Sequence, residues 1–305
     1  MKEKDELLSR LGQIIAAPRL FINEPMARHT TFRIGGPADY LVMPSSPQEV
    51  AAVWKVAKEC GVPVIALGNG SNVLVLDGGI RGLVVKLGET MSHTQRRGTT
   101  VVAGAGAVLG DVARYGARHG LTGLEFAVGI PGSIGGAVFM NAGAYDGEMS
   151  DVVAAVTAVC PDSSLKRFSH GESCFGYRHS IFQDNGCIIC EVELSLKKGE
   201  NGSIERQMGE FTSRREAKQP VEMPSAGSTF KRPPGYFAGT LIEQTGLKGL
   251  RIGGAQVSEK HAGFIVNVGG ATASDVLALI REIQRQVKEK FGVPLHPEVQ
   301  ILGEE

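Results

Sequence analysis

The chain has 305 residues, of which 42% are hydrophobic and 21% are charged, with 32 basic side chains balanced by 32 acidic ones. This length predicts two or three domains with substantial cores. The zero formal net charge gives no global attraction to nucleic acid or to an anionic membrane surface, so neither partner is expected. The charged segment "MKEKDELLSRLGQII" lacks the apolar core of a signal peptide, and no apolar run approaches the ~18 residues of a membrane span. We therefore expect a cytoplasmic protein.

The first half of the sequence predicts short helices and strands in mixed order. The segment "SPQEVAAVWKVAKECG" predicts a helix with Ser46 as N-cap, Pro47 at its first position, Glu49 completing a capping box and Gly61 after its end. Apolar runs predict strands in "VPVIALG", "SNVLVLD" and "GLVVKL". The segment "TTVVAGAGAVLGDVARYGARHG" predicts a strand, a glycine turn and a helix. The last glycine of "GAGAVLG" comes one residue too late for the dinucleotide fingerprint GxGxxG, which favours a tight turn over a Rossmann site.

The second half continues the mixed pattern. Strands are predicted in "DVVAAVTAVC" and "CIICEVELSL", and the polar run 197–203 is typical of a domain boundary. A helix is predicted in "SIERQMGEFTSRREAKQP" as far as Pro220. A strand, a helix that ends at Gly292 and a last strand follow. The succession predicts an α+β fold rather than a regular βαβ series.

The five cysteines and seven histidines predict no metal centre. Cys187 and Cys190 form a CxxC, but they lie in a strand-like run, where residues three apart point to opposite faces of the sheet. There is no second CxxC to complete a zinc site. The thiols are interpreted as structural.

Glycine-rich loops are the first candidates for ligand binding. Glycine accounts for 41 residues and is clustered. In "LGNGSNVLV", residues 69–72 combine small size, polar donors and tolerance of left-handed backbone between two predicted strands. In "GIPGSIGGAVFMNAGA", Ser133 lies near a predicted helix start that suits an anion. Two such loops suit a long diphosphate ligand, and the alternative is that both are ordinary turns.

Three polar side chains are candidates for chemistry. Arg178 in "FGYRHSIF" lies among aromatic residues, which favours a rigid guanidinium that binds a carboxylate or enolate, although a surface arginine stacked on Tyr177 explains the pattern as well. Glu298 enters the predicted last strand, where a solvated carboxylate is the simpler interpretation. Ser228 in "PSAGSTFKRPPG" lies in half of a nucleophile elbow. Phe230 replaces the second glycine of GxSxG, which argues against a serine hydrolase.

The motifs, taken in order, resemble one enzyme family. "HTTFRIGGPAD", "LGNGSNVLV", "GIPGSIGGAVFMNAGAY", "YRHSIF", "AGSTFKRP" and "HPEVQILG" are similar to the UDP-N-acetylenolpyruvoylglucosamine reductase family, also called UDP-N-acetylmuramate dehydrogenase. The resemblance runs from about residue 20 to residue 303. The chain is similar to the short, type II form, because residues 178–228 leave no room for a long insertion that covers the substrate. Asp146 departs from the pattern, since relatives often carry glycine there.

The resemblance implies an α+β fold with a two-part FAD-binding region of the vanillyl-alcohol-oxidase (PCMH) type and a C-terminal α+β substrate-binding domain. The implied domains are an FAD-binding subdomain at 1–82, a second at 83–200 and a substrate-binding domain at 201–305. The PCMH-type region covers about 33–197. The last strand is expected to return to the flavin region.

The resemblance also implies an FAD-dependent, NADPH-consuming oxidoreductase of peptidoglycan precursor synthesis. NADPH would reduce FAD, which would pass a hydride to the β-carbon of UDP-N-acetylglucosamine enolpyruvate to give UDP-N-acetylmuramate. Arg178 would stabilise the charge that develops on the enolpyruvyl carboxylate. Glu298, held neutral by desolvation, would donate a hydrogen bond to the same group. Ser228 would give the proton to the α-carbon.

Binding residues are implied in the same way. The residues expected to bind FAD are Asn69, Gly70, Ser71, Asn72, Gly129, Pro131, Gly132, Ser133, Gly135, Gly136 and Asn141. The residues expected to bind the UDP-sugar are Tyr177, Arg214, Lys218 and Lys231, with Arg215 a further candidate for the diphosphate. The alternative for the cations at 214–218 is a solvated helix face.

Two alternatives stay open beside the reductase. One is another FAD-linked oxidoreductase of the same fold, with FAD attached covalently through His29. The other is a non-enzymatic FAD-binding protein. Neither uses Arg178, Ser228 and Glu298 together. No feature demands a second subunit, so a monomer is expected.

Overall fold

The computed structural model of the chain describes residues 2–305, with side chains from Glu6 onward. The α-helices are α1 (Lys2–Ile14), α2 (Pro47–Glu59), α3 (Leu109–Arg118), α4 (Ile134–Phe139), α5 (Asn201–Lys218), α6 (Ala238–Thr245) and α7 (Ala273–Phe291). The strands are β1 (Leu20–Pro25), β2 (Pro37–Val42), β3 (Val64–Leu67), β4 (Val73–Val75), β5 (Ile80–Lys86), β6 (Thr94–Arg97), β7 (Thr100–Gly104), β8 (Leu121–Thr122), β9 (Gly143–Ala144), β10 (Gly147–Glu148), β11 (Val153–Val159), β12 (Leu165–Ser169), β13 (Ile188–Ser195), β14 (Lys197–Lys198), β15 (Ser225–Ser228), β16 (Arg251–Ile252), β17 (Ala255–Val257), β18 (Phe264–Asn267) and β19 (Gln300–Leu302). Among residues 2–305, no helix combines the length and apolar character needed to cross a membrane.

The chain divides into two compact units. Unit 1 consists of Met1–Ile22, Tyr40–Asn69 and Gly82–Arg214, and unit 2 of Asn23–Asp39, Gly70–Arg81 and Arg215–Glu305. The division falls inside α5, between Arg214 and Arg215. Each unit has its own cluster of buried apolar side chains. The domains expected from the sequence were defined by the ligand that each one binds. Their boundaries therefore stay a prediction.

Unit 1 is built on an antiparallel sheet in the order β12-β11-β13-β7-β6. Val and Ile side chains along β11 and β13 are buried on both sides of the central ladder, and the pairing of Val156 with Val192 fixes their register. Most of a second sheet, in the order β1-β2-β5-β3, also belongs to unit 1, and within it β3 and β5 are parallel. The parallel pair brings the end of β3, where the first glycine loop begins, beside Lys86 at the end of β5.

Unit 2 contains an antiparallel sheet in the order β15-β18-β17-β16 and the parallel pair β19-β4. Helix α7 buries Val276, Ile280, Ile283 and Val287, which recur at the helical period. Gly292 ends the helix in a left-handed conformation with φ of 70°. The predicted helix, including its end, is confirmed.

At the start of helix α2, the predicted N-cap is confirmed and the predicted capping box is wrong. Ser46 Oγ accepts a hydrogen bond from Glu49 N at 3.1 Å, as expected of an N-cap. The capping box is wrong, because the Glu49 carboxylate accepts from Ser45 N at 2.7 Å instead of from the backbone of Ser46. The same carboxylate pairs with Arg19 at 2.7 Å, and this pairing lowers the pKa of Glu49. A charged partner distant in sequence has turned Glu49 away from the cap.

Asp77 caps helix α7 from a distant part of unit 2. Its carboxylate accepts hydrogen bonds from Ala273 N at 2.8 Å, Ser274 N at 2.9 Å and Ser274 Oγ at 2.7 Å. Burial raises the pKa of Asp77, but the hydrogen bonds from Ser274 and Ala273 outweigh burial, so its pKa is lowered overall. The charged carboxylate therefore stabilises the N-terminus of α7.

Asp77→Asn should lower the free energy of unfolding by about 1 kcal/mol at pH 7, the usual value of an exposed helix cap. Because the folded-state pKa is lowered, this stabilisation is present above the ordinary carboxyl pKa of about 4 and is lost as pH falls below it. Urea denaturation from pH 7 to pH 3 should show that the difference in free energy of unfolding between wild type and variant becomes smaller as pH falls. Glu205→Gln, an exposed change on α5, should shift stability little at any pH. A constant Asp77→Asn difference across this range would contradict the role of the charge.

Candidate active site

The first glycine loop begins in unit 1, directly after β3. The carbonyl oxygen of Gly68 accepts a hydrogen bond from Lys86 Nζ at 2.5 Å. A Cβ atom on Gly68 would lie 2.3 Å from Ser133 Oγ, so a larger residue would displace this hydroxyl. Gly68 therefore touches Ser133 of the second glycine loop, and the predicted FAD residue Asn69 follows it half-buried.

The same loop continues in unit 2 from Gly70. Gly70 has φ of 62°, and a Cβ there would lie 2.3 Å from the carbonyl oxygen of His29. Its own carbonyl accepts from Thr31 N at 3.2 Å. The Asn72 side-chain amide donates to the carbonyl oxygen of Glu298 at 3.2 Å. The residues before and after Ser71 are therefore both hydrogen-bonded to neighbouring segments. Half-buried Ser71 lies between them on a fixed backbone.

The second glycine loop, residues 129–136, leads into α4. Ser133 is the N-cap, and its buried Oγ accepts from Gly136 N at 3.3 Å. The N–H groups of Ile134 and Gly135 donate to the carbonyls of Ala107 and Ala105. The first N–H groups of the helix thus bond within the protein. Pro131 and Gly136 are exposed at the surface of this loop.

The donor chemistry of these loops fits a diphosphate cofactor. The polar side chains expected to bind FAD are Asn69, Ser71, Asn72, Ser133 and Asn141, and all are neutral. Glycines at 68 and 70 bring the backbone close to neighbouring chain where a Cβ would collide. Loops without carboxylates and with closely packed backbone suit an anionic ligand. FAD therefore fits the residues present.

Arg178 lies in unit 1 with the left-handed φ of 54°, which is uncommon for a residue other than glycine. Its guanidinium donates to the carbonyl oxygens of Asn141 at 3.5 Å and Gly143 at 3.2 Å. It also lies over the Tyr177 ring, 5.2 Å from the ring centre. The stacking expected of a surface arginine is thus present together with polar contacts. Phe182 is part of the buried core and packs edge-to-face against Phe168.

Asn141 organises the loop that Arg178 contacts. It is fully buried with φ of 42°; its amide donates to the carbonyl of Gly176 at 2.9 Å, and its Oδ1 accepts from Ser150 N at 2.9 Å. The amide nitrogen therefore joins the α4–β9 loop to the segment that carries Arg178, and the amide oxygen joins the same loop to Ser150, which follows β10. The geometry supports a positioning role for Asn141.

Asn141→Ala should lower the free energy of unfolding by about 3 kcal/mol, because it leaves the N–H of half-buried Ser150 and the carbonyl of half-buried Gly176 without their partner and places alanine in a left-handed conformation. Urea denaturation measures the change. The exposed substitution Gln95→Ala should change stability by less than about 0.5 kcal/mol. Equal stability of Asn141→Ala and wild type would contradict the bonding role of the amide.

Ser228 ends β15 in unit 2 at an irregularity of the sheet. Ser225 pairs with Val266 and Ser228 pairs with Phe264, so β15 carries one extra residue there, and Gly227 has φ of 74°. Such a bulge changes the direction of the side chain that follows it. Ser228 is exposed, whereas Thr229 and Phe230 are buried. The serine is therefore presented on a strand whose next residues are fixed in the core.

Glu298 is joined to the same segment. Its backbone N donates to the carbonyl oxygen of Thr229 at 2.8 Å, and Thr229 N donates to the carbonyl oxygen of Gly263 at 2.8 Å. Phe230 forms a bridge with Pro297. In unit 2, hydrogen bonds thus connect the backbone of Glu298 to the strand that carries Ser228 and to the side-chain amide of Asn72.

The predicted substrate residues are exposed. Tyr177 is 57% exposed, and Arg214, Lys218 and Lys231 are exposed as well. Arg214 lies 3.8 Å from Glu210 one turn earlier on α5, an ordinary helix-surface pair. Lys231 is fixed through its backbone, which donates to the carbonyl of His296 at 2.8 Å. Their assignment to the UDP-sugar stays a prediction.

Two residues that contact the first glycine loop were not among the predicted site residues. Thr31 Oγ1 donates to the carbonyl of Ser225 at 2.7 Å, and Lys86 donates to Gly68. Thr31 lies in the motif "HTTFRIGG", which contributed to the family resemblance but had no function assigned to its residues. Lys86 lies in an apolar strand, where its charge was the only signal.

All five cysteines lie in unit 1, where Cys187 and Cys190 are buried and Cys174 is exposed. Burial raises the pKa of both Cys187 and Cys190 to about 12, so both stay protonated thiols at neutral pH. The Cys187 thiol contacts the sulfur of Cys160. Among the side chains described, from Glu6 to Glu305, no group of three or more His, Cys, Asp or Glu residues is arranged to hold a metal ion.

Two family models match the chain. The model described as FAD binding domain matches residues 38–169, which include both glycine loops, and the model described as UDP-N-acetylenolpyruvoylglucosamine reductase, C-terminal domain, matches residues 219–302. The chain is 49% identical over 303 residues to the UDP-N-acetylenolpyruvoylglucosamine reductase of Clostridium perfringens strain SM101, with 99% of each chain covered. The chain belongs to the UDP-N-acetylenolpyruvoylglucosamine reductase family. It is therefore an FAD-binding oxidoreductase, and the resemblance seen in its motifs is confirmed.

Solved structures agree with this membership. The structure of UDP-N-acetylenolpyruvylglucosamine reductase from Thermus caldophilus matches with a TM-score of 0.81 at 38% identity, covering 93% of this chain and 98% of that chain. Alkyldihydroxyacetonephosphate synthase matches with a TM-score of 0.50 at 18% identity, over 63% of this chain and 40% of that one, and shows the fold alone. The predicted α+β fold, with a PCMH-type FAD-binding region and a C-terminal reductase domain, is confirmed.

Proposed function

We propose that the chain catalyses the NADPH-dependent reduction of UDP-N-acetylglucosamine enolpyruvate to UDP-N-acetylmuramate, a step of peptidoglycan precursor synthesis in the cytoplasm. The observation that carries the proposal is the 49% identity to the Clostridium perfringens reductase over 99% of both chains. The matched span takes in both glycine loops and the positions of Arg178, Ser228 and Glu298. The substrate is a small UDP-sugar, and we propose that the enzyme acts as a monomer.

The proposed reaction adds a hydride and a proton across the enolpyruvyl double bond. FAD, when bound, takes the hydride from NADPH and supplies it to the β-carbon. The electron pair of the double bond then moves toward the α-carbon and its carboxylate. The chain has two tasks: to stabilise that negative charge and to deliver one proton to the α-carbon.

Arg178 is proposed to perform the first task. A guanidinium binds a carboxylate through two parallel hydrogen bonds, and the interaction strengthens as the carboxylate gains enolate charge. The carbonyls of Asn141 and Gly143 and the ring of Tyr177 hold the guanidinium in place before substrate binds. A preorganised donor spends little energy on reorientation during the reaction. Glu298, in its neutral form, is proposed to donate a further hydrogen bond to the same carboxylate.

Ser228 is proposed to perform the second task. Its hydroxyl is exposed at the bulge of β15, on a backbone fixed by the hydrogen bonds of Thr229. A serine hydroxyl is a weak acid, so it gives its proton only as carbanion character develops at the α-carbon, and water then restores the proton. Rigid placement is what such a donor requires.

FAD is proposed to lie against the two glycine loops. Asn69, Gly70, Ser71 and Asn72 would bind its diphosphate together with the loop at Gly129, Pro131, Gly132 and Ser133. Because their N–H groups bond within the protein, Gly135 and Gly136 would contribute close approach of the backbone rather than donors. Tyr177, Arg214, Lys218 and Lys231 are proposed to bind the UDP-sugar, whose negative charge suits the three cations.

Steady-state turnover tests the proposed function. With NADPH and UDP-N-acetylglucosamine enolpyruvate, NADPH oxidation should depend on the sugar, and the product should be heavier than the sugar by two hydrogen atoms in mass spectra. Acid should release the flavin intact. NADPH oxidation that is independent of the sugar and consumes oxygen would contradict the proposal and favour an oxidase. Flavin that stays bound in acid would favour covalent attachment, for which His29 is the candidate.

A further inference from the structure

Lys86 is a cation at the start of the first glycine loop. It ends β5, opposite Leu67 in the parallel register of β3 and β5, and its Nζ donates to the carbonyl of Gly68 at 2.5 Å. The ammonium therefore lies at the point where β3 turns into the loop. This contact lies entirely within unit 1 and inside the segment that the FAD binding domain model matches.

The position of Gly68 places Lys86 near both glycine loops. A Cβ on Gly68 would lie 2.3 Å from Ser133 Oγ, so the first loop touches the second at the residue that Lys86 binds. Both loops carry neutral donors and are proposed to bind the diphosphate. A hydrogen bond from Nζ to the Gly68 carbonyl fixes the plane of the Gly68–Asn69 peptide, and with it the direction of the Asn69 N–H.

Lys86 is also costly to hold as a charged group. The residues before it in β5, Leu83, Val84 and Val85, are fully buried, and burial lowers the pKa of Lys86 to about 8. A partly desolvated ammonium is stabilised by an anion nearby. A diphosphate bound at the two loops would supply negative charge at that place.

We propose that Lys86 is a positioning residue for the FAD diphosphate, which orients the first loop through Gly68 and offsets the phosphate charge. This proposal rests on the proposed location of FAD at the two glycine loops. No sequence motif assigns a role to Lys86.

The test compares Lys86→Met, Lys86→Gln and Lys86→Arg with wild type in the full-length protein after removal of flavin. Binding of FAD and of riboflavin, which lacks the diphosphate, is followed by quenching of flavin fluorescence. Lys86→Met and Lys86→Gln should bind FAD about 10- to 100-fold more weakly, the range expected for loss of a charge-assisted contact. Their riboflavin affinity should change by less than about twofold, and Lys86→Arg should keep most of the FAD affinity. Lys55→Met, an exposed change on α2, is the control.

Stability of the flavin-free proteins separates this role from a structural one. Without FAD, Lys86→Met should resist urea as well as wild type or better, because the substitution removes a partly buried charge. With FAD, it should gain less stability than wild type. Equal losses for FAD and riboflavin, unchanged FAD affinity, or a flavin-free Lys86→Met that unfolds more easily would each overturn the proposal. A wild-type protein that binds no FAD would instead overturn the proposed function itself.

Discussion

Ser228→Ala should abolish reoxidation of the flavin by UDP-N-acetylglucosamine enolpyruvate while reduction of the flavin by NADPH continues. The substitution removes only the hydroxyl that is proposed to protonate the α-carbon. The backbone bonds that hold this segment involve Thr229 and the pairing of Ser228 with Phe264, and alanine keeps them. Loss of a positioned proton donor usually costs about 10²- to 10⁴-fold in rate. Anaerobic rapid mixing measures the two half-reactions separately.

Ser225→Ala is the matched control for this experiment. Ser225 begins the same strand, and it accepts the hydrogen bond from Thr31 with its backbone carbonyl, which alanine keeps. Both half-reactions of Ser225→Ala should stay within about twofold of wild type. If Ser228→Ala reoxidised at the wild-type rate, another group would donate the proton. If Ser228→Ala slowed both half-reactions equally, the hydroxyl would instead serve binding or folding.

Arg178→Lys should lower kcat by about 10²- to 10³-fold, with a smaller effect on the KM for the UDP-sugar. Lysine keeps the positive charge but cannot bind a carboxylate through two parallel hydrogen bonds. It also cannot reach the carbonyls of both Asn141 and Gly143 with a planar group, as the guanidinium does. Because the proposed contact strengthens as enolate charge develops, its loss should affect kcat more than KM.

Arg167→Lys is a suitable comparison in the same unit. Arg167 makes two hydrogen bonds of 2.8 Å to Glu193 on an exposed sheet surface, so the same chemical change is made away from the proposed site. Its kcat should stay within about twofold of wild type. A kcat for Arg178→Lys equal to that of Arg167→Lys would contradict the role proposed for Arg178. A rise confined to KM would indicate that Arg178 binds the ground state only.

Local sequence patterns predicted several secondary-structure elements correctly. The helix that begins after Ser46, the helix that ends at Gly292 and the tight turn after β7 depend on neighbouring residues, and the structure contains each. The Glu49 capping box failed because Arg19, thirty positions earlier, competes for the carboxylate. Local rules do not include a charge that arrives from a distant segment.

Much of the candidate site depends on contacts that sequence spacing does not reveal. The motifs pointed to both glycine loops, Arg178 and Ser228, because their residue types are unusual where they occur. Arg178 has its left-handed backbone in a short turn that mutual backbone hydrogen bonds of Gly176 and His179 close. The bulge before Ser228 and the bond from Lys86 to Gly68 arise from pairing between distant segments. No period or spacing in one sequence encodes these pairings. Asn141 was predicted to bind FAD and stays a prediction; its two amide hydrogen bonds within the protein could be seen only in the structure.

The most direct test of the proposed function is an anaerobic single turnover of the wild-type protein. The flavin is first reduced with one equivalent of NADPH, and UDP-N-acetylglucosamine enolpyruvate is then added in the absence of oxygen. The account predicts that the oxidised flavin spectrum returns and that one equivalent of UDP-N-acetylmuramate forms per flavin. A flavin that stays reduced until oxygen is admitted, with the sugar unchanged, would contradict it.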